Sequence, residues 1–274
     1  MNSMSKGRLT FIGLGLYDEN DITLKGLHEL QQCDVVYAEF YTSKLSGTTQ
    51  QKIEKTIGKP VEILSREQIE NAAVLLDRAE SEHVVLLVGG DPMMATTHVD
   101  LRLRAMERGI PTSLIHNSSI VTAAPGLLGL QNYKFGRTAT LAYPEKEYFP
   151  TSPYEIIKEN RSLGLHTLVL LDIQNDRGRF MTANEGLDLL LRMEQQIGNH
   201  IIDETSVVCV VAHAGSLHPI VASDTVARLR KKDFGPPLHT LVIPGNLHFM
   251  ELQRHHSISF FLFIALITLP TQFQ

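Results

Sequence analysis

The chain has 274 residues, of which 43% are hydrophobic and 20% charged. These are ordinary globular proportions, which exclude a disordered chain, a collagen-like repeat and a coiled coil, and at about 150 residues per domain the length fits two modest domains better than one large core. Lys and Arg number 25 against 30 Asp and Glu, a formal charge of -5, so there is no overall positive field to condense a polyanion and nucleic acid is not expected as a partner.

From the N-terminus, short β-branched and apolar runs alternate with amphipathic stretches. No apolar stretch follows the polar leader Met1–Arg8, so no secretory signal is expected and the cytoplasm is the expected compartment. Leu9–Leu14 is the first expected strand, and Gly13-Leu14-Gly15-Leu16 lies at its exit. A dinucleotide fingerprint would need a third glycine at position 18, where Asp18 stands, so nicotinamide and flavin are not expected here. The glycines read either as a tight turn or as a ligand loop. Val35–Phe40 and Val61–Leu64 are the next strands. Ser65–Glu82 is a helix, opened by Ser65 and Gln68 in a capping box. The strand Val84–Val88 runs into Gly89–His98 (GGDPMMATTH). There two glycines let a ligand approach main chain, and Asp91, kept extended by Pro92, sets a carboxylate at the sheet edge. That carboxylate suits a ribose hydroxyl, a cationic ligand, or merely the turn into the next helix.

The following helix, from about Thr96 to Arg108, stops at Gly109, and Thr112–Ile115 is again a strand. Ser118–Leu130, small and punctuated by Gly and Pro, reads as a hinge between two halves. Strands are expected over Thr138–Ala142, Thr167–Ile173, Val207–Ala212 and Thr240–Ile243, and a helix over Thr182–Ile197 with a second capping box of Thr182 and Glu185. Cys33 and Cys209, the only two cysteines, each sit in an apolar run and read as buried thiols of a reducing compartment. The 12 histidines show no paired-ligand spacing, so no metal is expected. His213 and His218 flank Ser216 without a nucleophile elbow, a weak hydrolase pattern, and no Walker loop is present. Near the end, the 12 residues Ile258–Leu269 carry no charge but fall short of the ~20 that span a bilayer.

Strand, helix and strand in alternation predict the α/β class, with mostly parallel sheets and ligands beyond the carboxyl ends of the strands. The expected division is an N-terminal α/β domain over 9–116, a C-terminal α/β domain over 117–252, and an atypical apolar tail over 253–274.

Taken in order, Gly13–Leu27 (GLGLYDENDITLKGL), Ala38–Ser43 (AEFYTS), Gly89–His98, His116–Ile120 (HNSSI), Tyr133–Thr140 (YKFGRTAT), Gly164–Ile173 (GLHTLVLLDI), Met181–Glu185 (MTANE) and Ala212–Pro219 (AHAGSLHP) resemble the diphthine synthases. That family lies within the tetrapyrrole methylase superfamily, and the likeness runs from about Leu9 to Met250. The resemblance implies two α/β domains of the tetrapyrrole methylase type, S-adenosylmethionine as methyl donor in a cleft between them, and a homodimer. It implies as substrate a 3-amino-3-carboxypropyl group already carried by a histidine of translation elongation factor 2, whose amine is trimethylated to give diphthine. The connection Gln174–Phe180 is short, as in archaeal members, and unlike the longer eukaryotic ones whose product also carries a methyl ester. Carried over, the donor contacts implied are Leu16, Asp91, Met94, Ser119 and Ile120, with Leu171, Ala214 and His239 from the second half; no catalytic residue is implied.

Two departures stand out. Val88-Gly89 precedes GDP where the family has Thr-Pro or Val-Val. After His248–Glu251 (HFME), the tail from Gln253 resembles nothing in the family and reads first as a shifted frame or altered terminus, second as an anchor or interaction helix. Truncation after Met250 or Leu252 is therefore expected to leave donor binding intact. The loop Tyr143–Tyr154, with three prolines and four aromatics, is the expected surface for the protein substrate. Rival readings are a methylase of corrinoid or porphyrin precursors, a non-catalytic adenosyl-ligand-binding protein, and a membrane-associated protein held by its tail.

Overall fold

In the first half of the chain the apolar runs become one five-stranded sheet, ordered β3-β2-β4-β1-β5. Its strands are β1 (Arg8–Gly13), β2 (Val35–Glu39), β3 (Glu62–Ile63), β4 (His83–Val88) and β5 (Thr112–Ile115), and every pairing is parallel. The computed structural model describes residues 7–41, 43–145 and 148–251, so the expectations for the tail from Gln253 and for Ile258–Leu269 lie outside the described residues. Side chains of a strand alternate between faces. Leu9, Phe11 and Leu86 therefore meet Leu75, Leu76 and Leu101 on one side, while Ile12, Val85 and Leu87 meet Leu30, Ile53 and Ile57 on the other. Burial on both faces is why β1 and β4 read as continuous apolar runs.

The crossovers are α1 (Leu24–Gln32), capped by the Thr23 hydroxyl, and α2 (Gln50–Ile57), capped by Thr49 and stopped by Gly58 at φ 73°. The helix expected over Ser65–Glu82 is two helices, α3 (Arg66–Asn71) and α4 (Ala73–Ala79), with the Ser65–Gln68 capping box in place. Ala72 divides them with a left-handed φ of 65° while its side chain stays fully buried. Asn71 accounts for the break, because its carboxamide oxygen accepts the Ala73 amide (3.3 Å) and so competes with the helical ladder. Next come α5 (His98–Glu107), ended by Gly109 at φ 69°, and α6 (Ile120–Leu128), a helix within the stretch read as a hinge.

A second sheet, ordered β11-β10-β12-β7-β6, is built from β6 (Ala139–Leu141), β7 (Thr167–Leu171), β10 (Val207–Ala212), β11 (Ile220–Thr225) and β12 (His239–Ile243). Here the expectation of mostly parallel pairing is reversed: only β6 and β7 are parallel, and the β10·β11, β10·β12 and β12·β7 pairs are antiparallel. The cause is local. No helix lies between β10 and β11, and so short a return permits only an antiparallel partner. Strand β11 went unread because its sequence, IVASDT, is half-buried along most of its length and loses the apolar signature. The run expected over Thr167–Ile173 also divides, with β8 (Ile173–Gln174) turning back through Gly178 (φ 60°) onto β9 (Arg179–Phe180).

Over this sheet lie α7 (Ser152–Ser162), α8 (Ala183–Ile197) and the short α9 (Val226–Leu229). Thr182 and Glu185 form the expected capping box, and Leu187, Leu190 and Met193 pack on Val169, Val210 and Leu241. The helix approaches closely, since a Cβ on Gly186 would stand 2.9 Å from Leu171. By contact density the chain forms two compact units: Met1–Ile120 with Ile173–Arg179 and Gly215–Leu217, and Val121–Asp172 with Phe180–Ala214 and His218–Gln274.

One buried cluster closes the second unit. The Glu251 carboxylate, 1% exposed, accepts the Gln131 amide (2.8 Å), the His248 amide (2.6 Å), Lys134 Nζ (3.2 Å) and His166 Nε2 (3.2 Å). Burial pushes its pKa up, but these donors outweigh it and hold the carboxyl down to about 2. The same lysine donates to the Asn246 carbonyl, and His166 Nδ1 accepts the Gly245 amide (2.9 Å). Phe135 meets His166 edge to face, and Gly136 is required there because a Cβ would lie 2.1 Å from Asn160. Both cysteine thiols are buried; burial pushes Cys33 up, and Cys209 up to about 11. Among the described residues no helix is long and apolar enough to cross a membrane.

Candidate functional site

The parallel sheet gathers three strand exits side by side, since β4, β1 and β5 are neighbours. Beyond β1 and β4 the two glycine loops pair with each other: the Gly90 amide donates to Gly15 O (2.7 Å) and the Gly15 amide to Gly90 O (3.3 Å). Glycine is needed on both sides. Gly15 and Gly90 sit at φ 81° and 75°, and a Cβ on Gly13 would be 2.5 Å from the Gly90 carbonyl. The loop then curls over Asp21, whose Oδ2 accepts the amides of Leu16 (3.0 Å) and Tyr17 (2.7 Å). Asp18, at the position of the missing third glycine, caps a single turn over Glu19–Asp21 by accepting the Asn20 amide (2.9 Å).

Asp91 is 8% exposed and already well bonded. Its Oδ1 accepts the Met93 amide (3.0 Å), and its Oδ2 accepts His116 Nδ1 (2.8 Å) and the Asn117 amide (3.2 Å). A carboxylate offers about four acceptor positions, so one remains for a ligand hydroxyl. Two of the sequence readings of Asp91, turn former and hydroxyl acceptor, are thus compatible with one residue. Beneath the loop His98 Nδ1 lies 3.1 Å from the Pro92 carbonyl and its Nε2 3.5 Å from Glu39 Oε1, both side chains fully buried. Met94 is 42% exposed, Ser119 is buried, and Ile120 opens α6. The five residues expected from the first half therefore share one edge of one sheet.

In the second unit Leu171 ends β7, His239 opens β12 opposite Ala212 of β10, and Ala214 follows two residues later. These three also share a sheet edge. Both His239 nitrogens are engaged, Nδ1 accepting the Ala183 amide at the start of α8 (3.1 Å) and Nε2 donating to the Pro236 carbonyl (3.2 Å). Burial lowers its pKa, in keeping with a neutral ring held as a helix cap. His213 directs Nε2 at the same carbonyl (2.7 Å), so that nitrogen is a donor there and offers no lone pair to take a proton from Ser216.

Sequence reasoning missed Asp21, His116 and Asn117. The last two open the block HNSSI, from which only Ser119 and Ile120 were taken. The aromatics of the Tyr143–Tyr154 loop are unequally placed. Tyr143 and Tyr154 are buried with hydroxyls on Glu185 (3.3 Å) and Glu194 (2.8 Å), and Phe149 packs on the core beneath Arg192. Of the loop's four aromatics, Tyr148 is the exposed one, at 70%.

A family model described as Tetrapyrrole (Corrin/Porphyrin) Methylases matches residues 8–230. The chain belongs to that family. It is 51% identical over 243 residues to the diphthine synthase of Methanothermobacter thermautotrophicus, covering 89% of this chain and 92% of that one. It is 52% identical over 250 residues to the diphthine synthase of Methanosarcina acetivorans, covering 89% and 93%. A crystal structure of a diphthine synthase superposes with a TM-score of 0.84 at 40% identity, covering 92% of this chain and 95% of that chain. At this likeness over nearly its whole length, the chain is an S-adenosylmethionine-dependent methyltransferase of diphthamide biosynthesis.

Proposed function

We propose that this methyltransferase carries methyl groups from S-adenosylmethionine to the amine of the 3-amino-3-carboxypropyl-histidine of translation elongation factor 2, giving trimethylated diphthine, and that it works as a cytoplasmic homodimer. The observation that carries the reading is the paired glycine exits of β1 and β4, with Asp91 next to Gly90 and bonded to the exit of β5, at the edge where parallel sheets bind ligands. Donor contacts are assigned to Leu16, Asp91, Met94, Ser119, Ile120, Leu171, Ala214 and His239, and the domains to 9–116 and 117–252.

These residues fit such a donor. A Cβ built on Gly90 has nothing within 4 Å, so open space borders that main chain, and Asp91 keeps one acceptor position for a hydroxyl. When bound, the donor supplies an electrophilic methyl on a sulfonium. The chain's part is to orient the reactants, because an amine attacking a sulfonium disperses charge rather than building it, and alignment is worth roughly 7–11 kcal/mol. Glycine main chain and small side chains suit that task. An amine with pKa near 8 leaves roughly a tenth unprotonated at neutral pH, so no strong base is required.

The test incubates the purified chain with labelled donor and elongation factor 2 bearing the unmethylated group, then weighs the product. Three added methyl groups are expected. Binding of the demethylated donor without methyl incorporation would sink the catalytic reading, and incorporation into a corrinoid precursor instead would replace the substrate.

A further inference from the structure

We infer that Asn117 is a positioning residue for the donor, tying together the three strand-exit loops that carry the first-unit contacts. The inference rests on the donor-site reading above and deepens it. The Asn117 carboxamide Nδ2 donates to the Gly13 carbonyl (2.9 Å) and the Asp21 carbonyl (2.9 Å), fastening both ends of the loop after β1. Its main-chain amide donates to Asp91 Oδ2 (3.2 Å), in the loop after β4. Its Oδ1 accepts the Ser118 amide (2.7 Å), which holds the side chain in place within the loop after β5. One residue thereby fixes β4, β1 and β5 exits relative to each other.

The chemistry calls for asparagine at this position. Two carbonyls need two N–H donors from one planar group, and the Ser118 amide needs an acceptor on the same group. Aspartate would supply the acceptor but neither donor, and would place a charge against two carbonyls. Serine could supply one donor. The space is matched as well, since a Cβ on Gly13 would come 2.8 Å from Asn117 Cβ. Asn117 acts through loops rather than by touching the donor, and loops fixed before binding spare the ordering cost that a ligand otherwise meets.

The experiment compares wild type, Asn117→Ala, Asn117→Ser and Asn117→Asp by calorimetry with S-adenosylhomocysteine, by donor kinetics, and by amide hydrogen exchange of the unliganded protein. Loss of both donors should weaken binding roughly tenfold or more, raise the donor KM while kcat at saturation is largely kept, and speed exchange over 13–22 and 89–95. Asn117→Ser should recover part of the affinity, and Asn117→Asp should not. Asn160→Ala is the structural control: that asparagine makes a matching clamp on the Arg137 carbonyl (2.8 Å) and Thr167 Oγ1 (2.9 Å), and its loss should lower the melting temperature without altering affinity per folded molecule. Unchanged affinity and exchange in Asn117→Ala, or a lower melting temperature alone, overturns the inference. A wild-type chain that binds no S-adenosylhomocysteine brings down the donor reading instead. Exchange then decides the clamp alone: faster exchange in both loops keeps it, and unchanged exchange overturns it.

Discussion

Asp91 and Glu251 are built from the same parts and put to different uses. Each buried carboxylate collects two main-chain amides and a histidine. Glu251 adds Lys134, and its partner His166 is fully buried, so the carboxylate's acceptor positions are filled from within the fold. Asp91 has no lysine or arginine among its partners given above, its His116 side chain is 66% exposed, and it keeps an acceptor position at the sheet edge. A carboxylate whose capacity is filled from within the fold holds structure together, whereas one filled short of capacity beside open main chain is equipped to bind. The motifs therefore divide by role: GGDP and HNSS build the candidate site, while YKFG and HFME build the latch.

The largest test of that division is Glu251→Ala. It leaves the Gln131 and His248 amides and His166 without their acceptor and takes the counter-charge from Lys134, and breaking such a cluster costs about 3–5 kcal/mol. A large drop in urea midpoint is expected with donor affinity per folded molecule unchanged. Ending the chain after Met250 removes Glu251, while ending it after Leu252 keeps it, so the two truncations, both expected from sequence to keep donor binding, should differ in stability by a similar amount. Equal stability of the two would break the comparison.

Acid should expose the same difference. The Glu251 pKa falls from an ordinary 4.5 to about 2 on folding. A depressed folded pKa gives stability that is full above 4.5 and is lost as pH falls toward 2. The shift corresponds to about 3 kcal/mol. Urea midpoints of wild type and Glu251→Gln should converge on acidification from about pH 6 to about pH 3. A constant gap would mean that the carboxylate's charge is not what holds the cluster.

Asp91→Asn should act the other way round, with little loss of stability and a loss of donor affinity of roughly ten- to a hundredfold, since an amide cannot accept from both His116 and the Asn117 amide and still face a hydroxyl. Calorimetry with S-adenosylhomocysteine reads the loss. Loss of the fold with affinity retained would make Asp91 a second latch.

How much of this the sequence carried follows the same line. The parallel sheet was legible because strands buried on both faces are written as unbroken apolar runs, and both capping boxes because their residues sit three apart. The antiparallel order of the second sheet was not, because β11 alternates weakly and register depends on partners far along the chain. The glycines and Asp91 were legible as chemistry. His116 and Asn117 were not, because what they do depends on Gly13, Asp21 and Asp91, up to 104 positions away. Glu251 was passed over for the same reason, its partners Gln131, Lys134 and His166 lying at 131–166.

The smallest effect is expected in the loop first read as a recognition surface, where Tyr148 and Phe149 are adjacent but differently placed. Phe149 rests on the second-unit core with the Arg192 guanidinium 4.9 Å above its ring, so Phe149→Ala should cost stability, about 1–3 kcal/mol for a partly buried aromatic. Tyr148 is 70% exposed, and removing an exposed side chain changes stability by less than about 0.5 kcal/mol. Of the loop's aromatics Tyr148 is the one placed to touch the protein substrate, and Tyr148→Ala should lower methylation of elongation factor 2 a few-fold at limiting substrate with donor affinity and melting temperature unchanged. Steady-state kinetics at varied elongation factor concentration distinguishes the outcomes. A raised KM for the protein substrate keeps the loop as a docking element; identical kinetics in Tyr148→Ala would leave Tyr148 an ordinary surface residue and move recognition elsewhere on the chain.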